Sequence, residues 1–407
     1  MSGNTGRNYD VHGAATIRIL GNDPVSNLLD RTLGYFKSSP KEPDLTLVLG
    51  EYPGKDWRPE GTLVGDRFLY DRSSETTTVL DRRVEGEPRM SHIEYVVTGD
   101  LRAAGGRVSV YVPNLRRPVT PASSLRAELG RRHLRRALLA AAGNPLSLRQ
   151  VVRQAEDITE AVIEPFLYYR LPSKGLSLAH ATAFSSGADA TLYAGTANIG
   201  KSTLALGFVR EKRVFLGDTL VVLSERGDVL PYPGLVKLHG GHLAQFPELG
   251  GRLAKGLGRI GSSLLKGELS DHPKEVLDSL PQLQMAQLFE EVIIPKRCML
   301  GSVFLAKRGT FSGPARWEVD NESAARSLTV DLVWEVEAAP WRNGQFMHSS
   351  DASEGSDFLS RSAEHQARIM DIMRRSVSKA KCYVLQLPLK APVALAKDFV
   401  PELQPSK

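Results

Sequence analysis

The sequence predicts an α/β protein, α+β overall, with a smaller β-rich N-terminal domain followed by helices and then a larger domain mixing strands and helices. Three observations carry this expectation. Short β-prone runs dominate roughly the first hundred residues. Leu125, Leu129, Leu134, Leu138 and Leu139 then recur at helical spacing. From Leu178 onward, strand-like runs alternate with short helices.

The first part reads as separate strands: Leu45 to Leu49, Arg67 to Tyr70, Thr76 to Leu80, Ile93 to Val97 and Val108 to Val112. The second and third flank Asp71-Arg72-Ser73-Ser74-Glu75, a hairpin turn by composition. Pro118 and Pro121 punctuate the chain, Ser123 or Ser124 caps an Arg-rich helix, and Gly143-Asn144-Pro145 ends it. A second helix runs from about Leu148 to Leu167. Strands follow at Ala190 to Ala194, Val214 to Leu216 and Leu220 to Leu223, with a helix from Lys201 to Val209 between the first two. Met299 to Leu305 and Tyr383 to Leu387 are further strands, and the lateness of the second implies that the C-terminus completes the same domain. Ser349 to Asp357 reads as a mobile loop before a final helix near Phe358 to Lys379. The domain boundaries expected are 1–120, a helical connector over 121–170, and 171–407 with an irregular insertion at about 240–290.

Composition narrows the function classes. The 407 residues are 42% hydrophobic and 24% charged, too apolar for a disordered chain. Two cysteines, Cys298 and Cys382, exclude a disulfide framework and a Cys-only zinc site. No apolar run approaches the roughly 20 residues that cross a bilayer, and Met1 to Thr16 lacks the apolar stretch of a secretory signal. The expectation is a cytoplasmic protein without a membrane partner. The formal charge of +6 favours anionic partners. Arg116, Arg117, Arg126, Arg131, Arg132, Arg135 and Arg136 supply much of it, and their helical spacing reads as a solvated face. No zinc-finger, RRM or aromatic-basic pattern points to nucleic acid. Self-association is compatible with all of this.

One motif carries strong chemistry. Gly195-Thr196-Ala197-Asn198-Ile199-Gly200-Lys201-Ser202-Thr203 fits G-x-x-x-x-G-K-[ST], with an apolar strand before it and a helix after it. In that setting backbone N–H groups curl around a β-phosphate and the helix N-terminus adds positive charge. Lys201 would reach the β- and γ-phosphates of a nucleoside triphosphate, and the Ser202 hydroxyl would ligate Mg²⁺. Asn198, where many such loops have glycine, is a mild departure, since Asn tolerates left-handed backbone.

A metal-bound triphosphate also needs a carboxylate. Asp218 ends the first strand after the loop's helix and is the candidate; Asp228 sits in a hairpin turn and reads as structural. His180, one strand upstream, lies among small and apolar residues, where a buried core histidine is the ordinary outcome. Lys237, His239 and His242 could face a substrate, but these histidines form no zinc set.

Together these residues resemble the HPr kinase / PEP carboxykinase-type nucleotide-binding domain. The resemblance covers about His180 to Leu238, and more loosely Met299 to Leu305 and Cys382 to Leu387. The family pattern runs His, strand, hairpin, strand, P-loop, helix, strand, acidic motif, strand; here it reads His180, Ser185-Ser186-Gly187-Ala188-Asp189, the P-loop, then Gly217-Asp218-Thr219 leading into Leu220 to Leu223. It implies a mixed sheet, ATP and Mg²⁺ as cofactors, phosphate transfer to a hydroxyl of a small molecule or peptide, Lys201, Asp218 and His180 as catalytic residues, and Ser202 with Asp218 on the metal. The family's acidic motif has two adjacent aspartates, whereas Thr219 stands in the second place here. Two other readings stay open: an ATP-binding regulator without transfer, and a small-molecule kinase of the shikimate- or adenylate-kinase type. Against the latter, Leu220 to Leu223 continues as strand and no Arg-rich lid is recognisable.

Overall fold

A computed structural model describes residues 6–21, 24–54, 56–64, 68–71, 76–80, 93–99, 105–113, 154–185, 189–196, 199–210, 214–236, 242, 245–246, 248–249, 283–284, 292–337 and 352–388. The Arg-rich helix, Ala197, Asn198, Lys237, His239 and most of the expected insertion lie outside them. The class is α+β, with two large mixed sheets and several helices.

The first sheet is built from β1 (Arg7–Val11), β2 (Ala15–Leu20), β3 (Leu45–Leu49), β4 (Thr62–Val64), β5 (Phe68–Asp71), β6 (Thr76–Leu80), β7 (Ile93–Thr98) and β8 (Val108–Val112). Its order is β1-β2-β3-β8-β7-β6-β5-β4, with β3 parallel to both β2 and β8. β5 and β6 pair antiparallel across the expected hairpin, Asp71 opposite Thr76. The alternating burial of β2, in which Ala15, Ile17 and Ile19 turn inward, follows from the two-residue period of a strand. Helix α1 (Pro24–Thr32) adds Leu28 and Leu29 to the same core.

After 154–158, already helical, the chain passes through a π-helical turn, Thr159–Ile163, into α2 (Glu164–Arg170). The second sheet contains β9 (Leu176–Ala179), β10 (Ala181–Ser185), β11 (Asp189–Ala194), β12 (Val214–Gly217), β13 (Val221–Ser224), β14 (Asp228–Leu230), β17 (Cys298–Gly309), β18 (Ala315–Glu318) and β19 (Lys381–Pro388). β15 (Leu235–Val236) and β16 (Leu283–Gln284) form a separate small pair. β17 is parallel to β11 on one side and to β19 on the other, so the late strand does complete this sheet.

Successive residues of the central strands face opposite sides. Ala183, Leu192, Val303 and Val384 join the main core, together with Ala324, Leu328 and Leu332 of α4 (Asn321–Glu337) and Ile369 and Met373 of α5 (Ala352–Val377). Their neighbours Phe184, Tyr193, Phe304 and Leu385 face Leu204 and Phe208 of α3 (Lys201–Arg210). The sheet is thus layered between α3 and the α4/α5 pair. The main core also includes Tyr9, Ile17, Leu45 and Val110 of the first sheet, so apolar packing runs continuously between the two. At that junction the His12 ring nitrogen Nε2 lies 2.9 Å from the Pro231 carbonyl, and the Phe36 and Tyr232 rings are 5.7 Å apart.

In the helical layer on the other side of this sheet from α3, two elements differ from expectation. Residues 352–357, read as part of a mobile loop, belong to α5. Ser, Glu and Asp favour the first turn of a helix, where the dipole welcomes negative charge, so a polar run there is a helix start as readily as a loop. Helix α4 was not expected at all. Asp320 caps it, its Oδ1 accepting from the Ser323 N–H at 2.7 Å, and Ala324, Leu328, Leu332 and Val336 give it a buried stripe.

Candidate active site at one edge of the second sheet

β9 and β13 close one end of the strand order, while β10 and β12 lie at the other. Yet His180 alone joins β9 to β10, and Asp218-Thr219-Leu220 alone joins β12 to β13. One residue moves the chain by only about 3.8 Å, so the sheet must curl until its ends meet. His180 and Asp218 sit at that seam.

The strand directions bring Gly195, the first residue of the glycine-rich motif, to the same edge. β10 is antiparallel to both β11 and β12, with Ala181 opposite Ala194 and Ala183 opposite Gly217. The start of β10 and the ends of β11 and β12 therefore share one edge. His180 precedes the first, Gly195 follows the second and Asp218 follows the third. Thr182 ties them further by donating from Oγ1 to the Gly217 carbonyl at 2.9 Å. Asp228 faces the start of β17, opposite Met299, which in turn pairs with Asp189 at the start of β11; it lies at the other edge.

The two glycines of the motif take backbone conformations suited to glycine. Gly195 has φ +149° and Gly200 φ +102°, a region that L side chains rarely adopt. A β-carbon on Gly195 would fall 2.6 Å from the Ala306 carbonyl oxygen. Ile199 anchors the loop in the α3-side core. Helix α3 begins at Lys201, whose ammonium donates to the carbonyls of Gly195 at 2.7 Å and Thr196 at 3.1 Å. Ser202 and Thr203 occupy the first turn, half-buried, and Thr203 Oγ1 lies 3.1 Å from Nε2 of the buried His242. Of the three residues considered for substrate, His242 is thus packed against α3.

Electrostatically, Lys201 is the centre of the site. Burial lowers its pKa, while Glu335, then Asp218, then Asp331 hold the ammonium charged. His180 is pushed down to about 3, chiefly by burial and then by the Lys201 charge, so its imidazole is neutral near pH 7. Burial raises the Asp331 carboxyl, against the pull of Lys201 and Lys307. Glu164 is pushed up to about 8 by burial and by Glu160 and Glu335. Thr219, exposed beside Asp218, has φ +70°, an outlier for a β-branched residue.

Sequence reasoning did not find Asp331 and Glu335. They lie four residues apart on α4, beside its apolar stripe, and Glu335 Oε2 is 3.7 Å from His180 Nδ1. The available signal was local: Asp320 ahead of Glu322 and helically spaced apolar residues predict the helix, though not what its flank faces.

Among the described residues, no three or more His, Cys, Asp or Glu side chains group as a metal cage, and no helix is long and apolar enough to cross a membrane. No protein-family model matches the chain, and no curated protein sequence matches it.

Proposed function

We propose that the protein is an ATP-dependent phosphotransferase of the HPr kinase-like type, passing phosphate to a hydroxyl of a small molecule or peptide. The observation carrying this reading is the convergence of Lys201, Asp218 and His180 on one edge of a curled mixed sheet, beside a glycine-shaped loop that opens a helix. The loop fits a polyphosphate. Its backbone approaches β17 too closely for any side chain at Gly195, and the N–H groups at the start of α3 have no intrahelical acceptor.

A magnesium–nucleoside triphosphate bound there would supply the phosphoryl group and much of the neutralising charge. Lys201 contributes a fixed, buried cation, worth more in this setting than in water. Ser202 and Asp218 would hold the metal, the hydroxyl from the first turn of α3 and the carboxylate from the end of β12. His180 is neutral and buried, so it is a positioning group and a weak proton acceptor.

Hydrolysis of MgATP by the full chain tests this. Asp218→Asn should lower turnover by about 100-fold or more while changing nucleotide affinity little, because Asn keeps shape and loses charge. An Asp228→Asn variant should match the wild type. Loss at Asp228 with Asp218→Asn silent would contradict the reading. Binding without transfer is the second reading, favoured by Thr219, whose hydroxyl has no useful basicity at neutral pH. It predicts MgATP binding with no turnover.

A further inference from the structure

The site holds a carboxylate that the family-like acidic motif does not account for. Glu335 comes from α4, far along the chain from β12. Its Oε2 is 3.7 Å from His180 Nδ1, its side chain is 38% exposed, and its charge acts on Lys201 more strongly than that of Asp218. It also raises the carboxyls of Asp331 on its own helix and Glu164 on α2. Lys201, His180, Asp331 and Glu164 therefore face it from α3, the β9–β10 corner, α4 and α2.

Its location is costly. Glu335 lies in the last turn of a 17-residue helix that has no basic residue in that turn. Negative charge there opposes the helix dipole by roughly 0.3–1 kcal/mol. Sequences accept such local conflicts mainly where function requires them. Asp331, one turn earlier, is half-buried with its carboxyl pushed toward the neutral form, and Asp218 would hold the metal in the reading above. Glu335 alone among the three is exposed, open to an arriving acceptor.

We infer that Glu335 is the general base of this site, supplying from α4 the second carboxylate that position 219 lacks. The inference rests on the phosphotransferase reading. The acceptor's O–H bond breaks and its proton passes to a Glu335 carboxylate oxygen. The acceptor oxygen bonds to the γ-phosphorus as the bond from that phosphorus to the β–γ bridging oxygen breaks, and the nucleoside diphosphate leaves with that electron pair. His180 is a positioning residue: its neutral imidazole, next to the carboxylate, fixes where Glu335 points.

The full chain with MgATP, water serving as the acceptor, tests this. Glu335→Gln should slow hydrolysis about 100-fold with MgATP affinity unchanged within about twofold, and Glu335→Asp should recover part of the rate. Without nucleotide, the ¹⁵N resonances of the His180 ring should shift in Glu335→Gln, reporting lost carboxylate contact. A Glu335→Gln enzyme as fast as wild type, or His180 resonances that do not move, overturns the inference while wild-type turnover leaves the phosphotransferase reading standing. A wild-type chain that fails to bind MgATP overturns both.

Discussion

Gly195 and Ala306 are held so close that a β-carbon on the first would sit 2.6 Å from the carbonyl oxygen of the second. The contact joins the end of β11 to its parallel neighbour β17 and fixes where the loop leaves the sheet. The start of the loop is thus set by strand pairing as well as by the glycine itself.

Gly195→Ala tests that relationship. The added methyl must displace β17 or the loop, and its φ of +149° is strained for alanine. We expect a stability loss of about 1–3 kcal/mol by urea denaturation and at least a roughly tenfold loss of MgATP affinity. An unchanged variant would mean that the loop tolerates a side chain and is not shaped by this contact.

Thr219→Gly should act in the opposite direction. A left-handed conformation costs a non-glycine residue about 1–2 kcal/mol, partly offset by glycine's greater freedom when unfolded, so a net gain of about 1 kcal/mol is expected. Thermal unfolding measures it. A destabilised variant would show that the threonine side chain contributes contacts that outweigh its backbone strain.

Local signals made much of this fold legible. β3, β6 and β8 read correctly because β-branched and apolar residues are bounded by turn residues, and the helix from Lys201 because it opens directly after a glycine-bearing turn. The shared edge of His180, Lys201 and Asp218 was only half legible: chain order gives the elements, but the curl of the sheet depends on pairings between β9 and β13 that no local pattern encodes. Glu335 was not legible, because the ordinary i, i+4 charge placement on α4 gives no sign that its last turn ends near Lys201 and His180 at the sheet edge.

Glu164 makes stability depend on pH. The folded chain holds its proton up to about 8, whereas the unfolded chain releases it in the ordinary carboxylate range near 4.5. The folded state binds more protons between those values, so this group's contribution is present below the unfolded value and is lost as pH rises through about 8. Glu164→Gln keeps a neutral group at every pH. Melting temperatures of variant and wild type should be similar at about pH 5, with the variant higher at about pH 9. Parallel curves across that range would contradict the neutral carboxyl.

Equilibrium titration of the full chain with MgATP, wild type against Lys201→Ala, tests the central claim most directly. Lys201 contacts loop carbonyls, while Leu204, Leu206 and Phe208 carry the helix's packing, so the variant should still fold. The account predicts saturable binding to the wild type at one site per chain, weakened more than about tenfold in the variant, with thermal unfolding nearly unchanged. A wild-type chain that does not bind MgATP, or a folded Lys201→Ala chain that binds it equally well, would contradict the account.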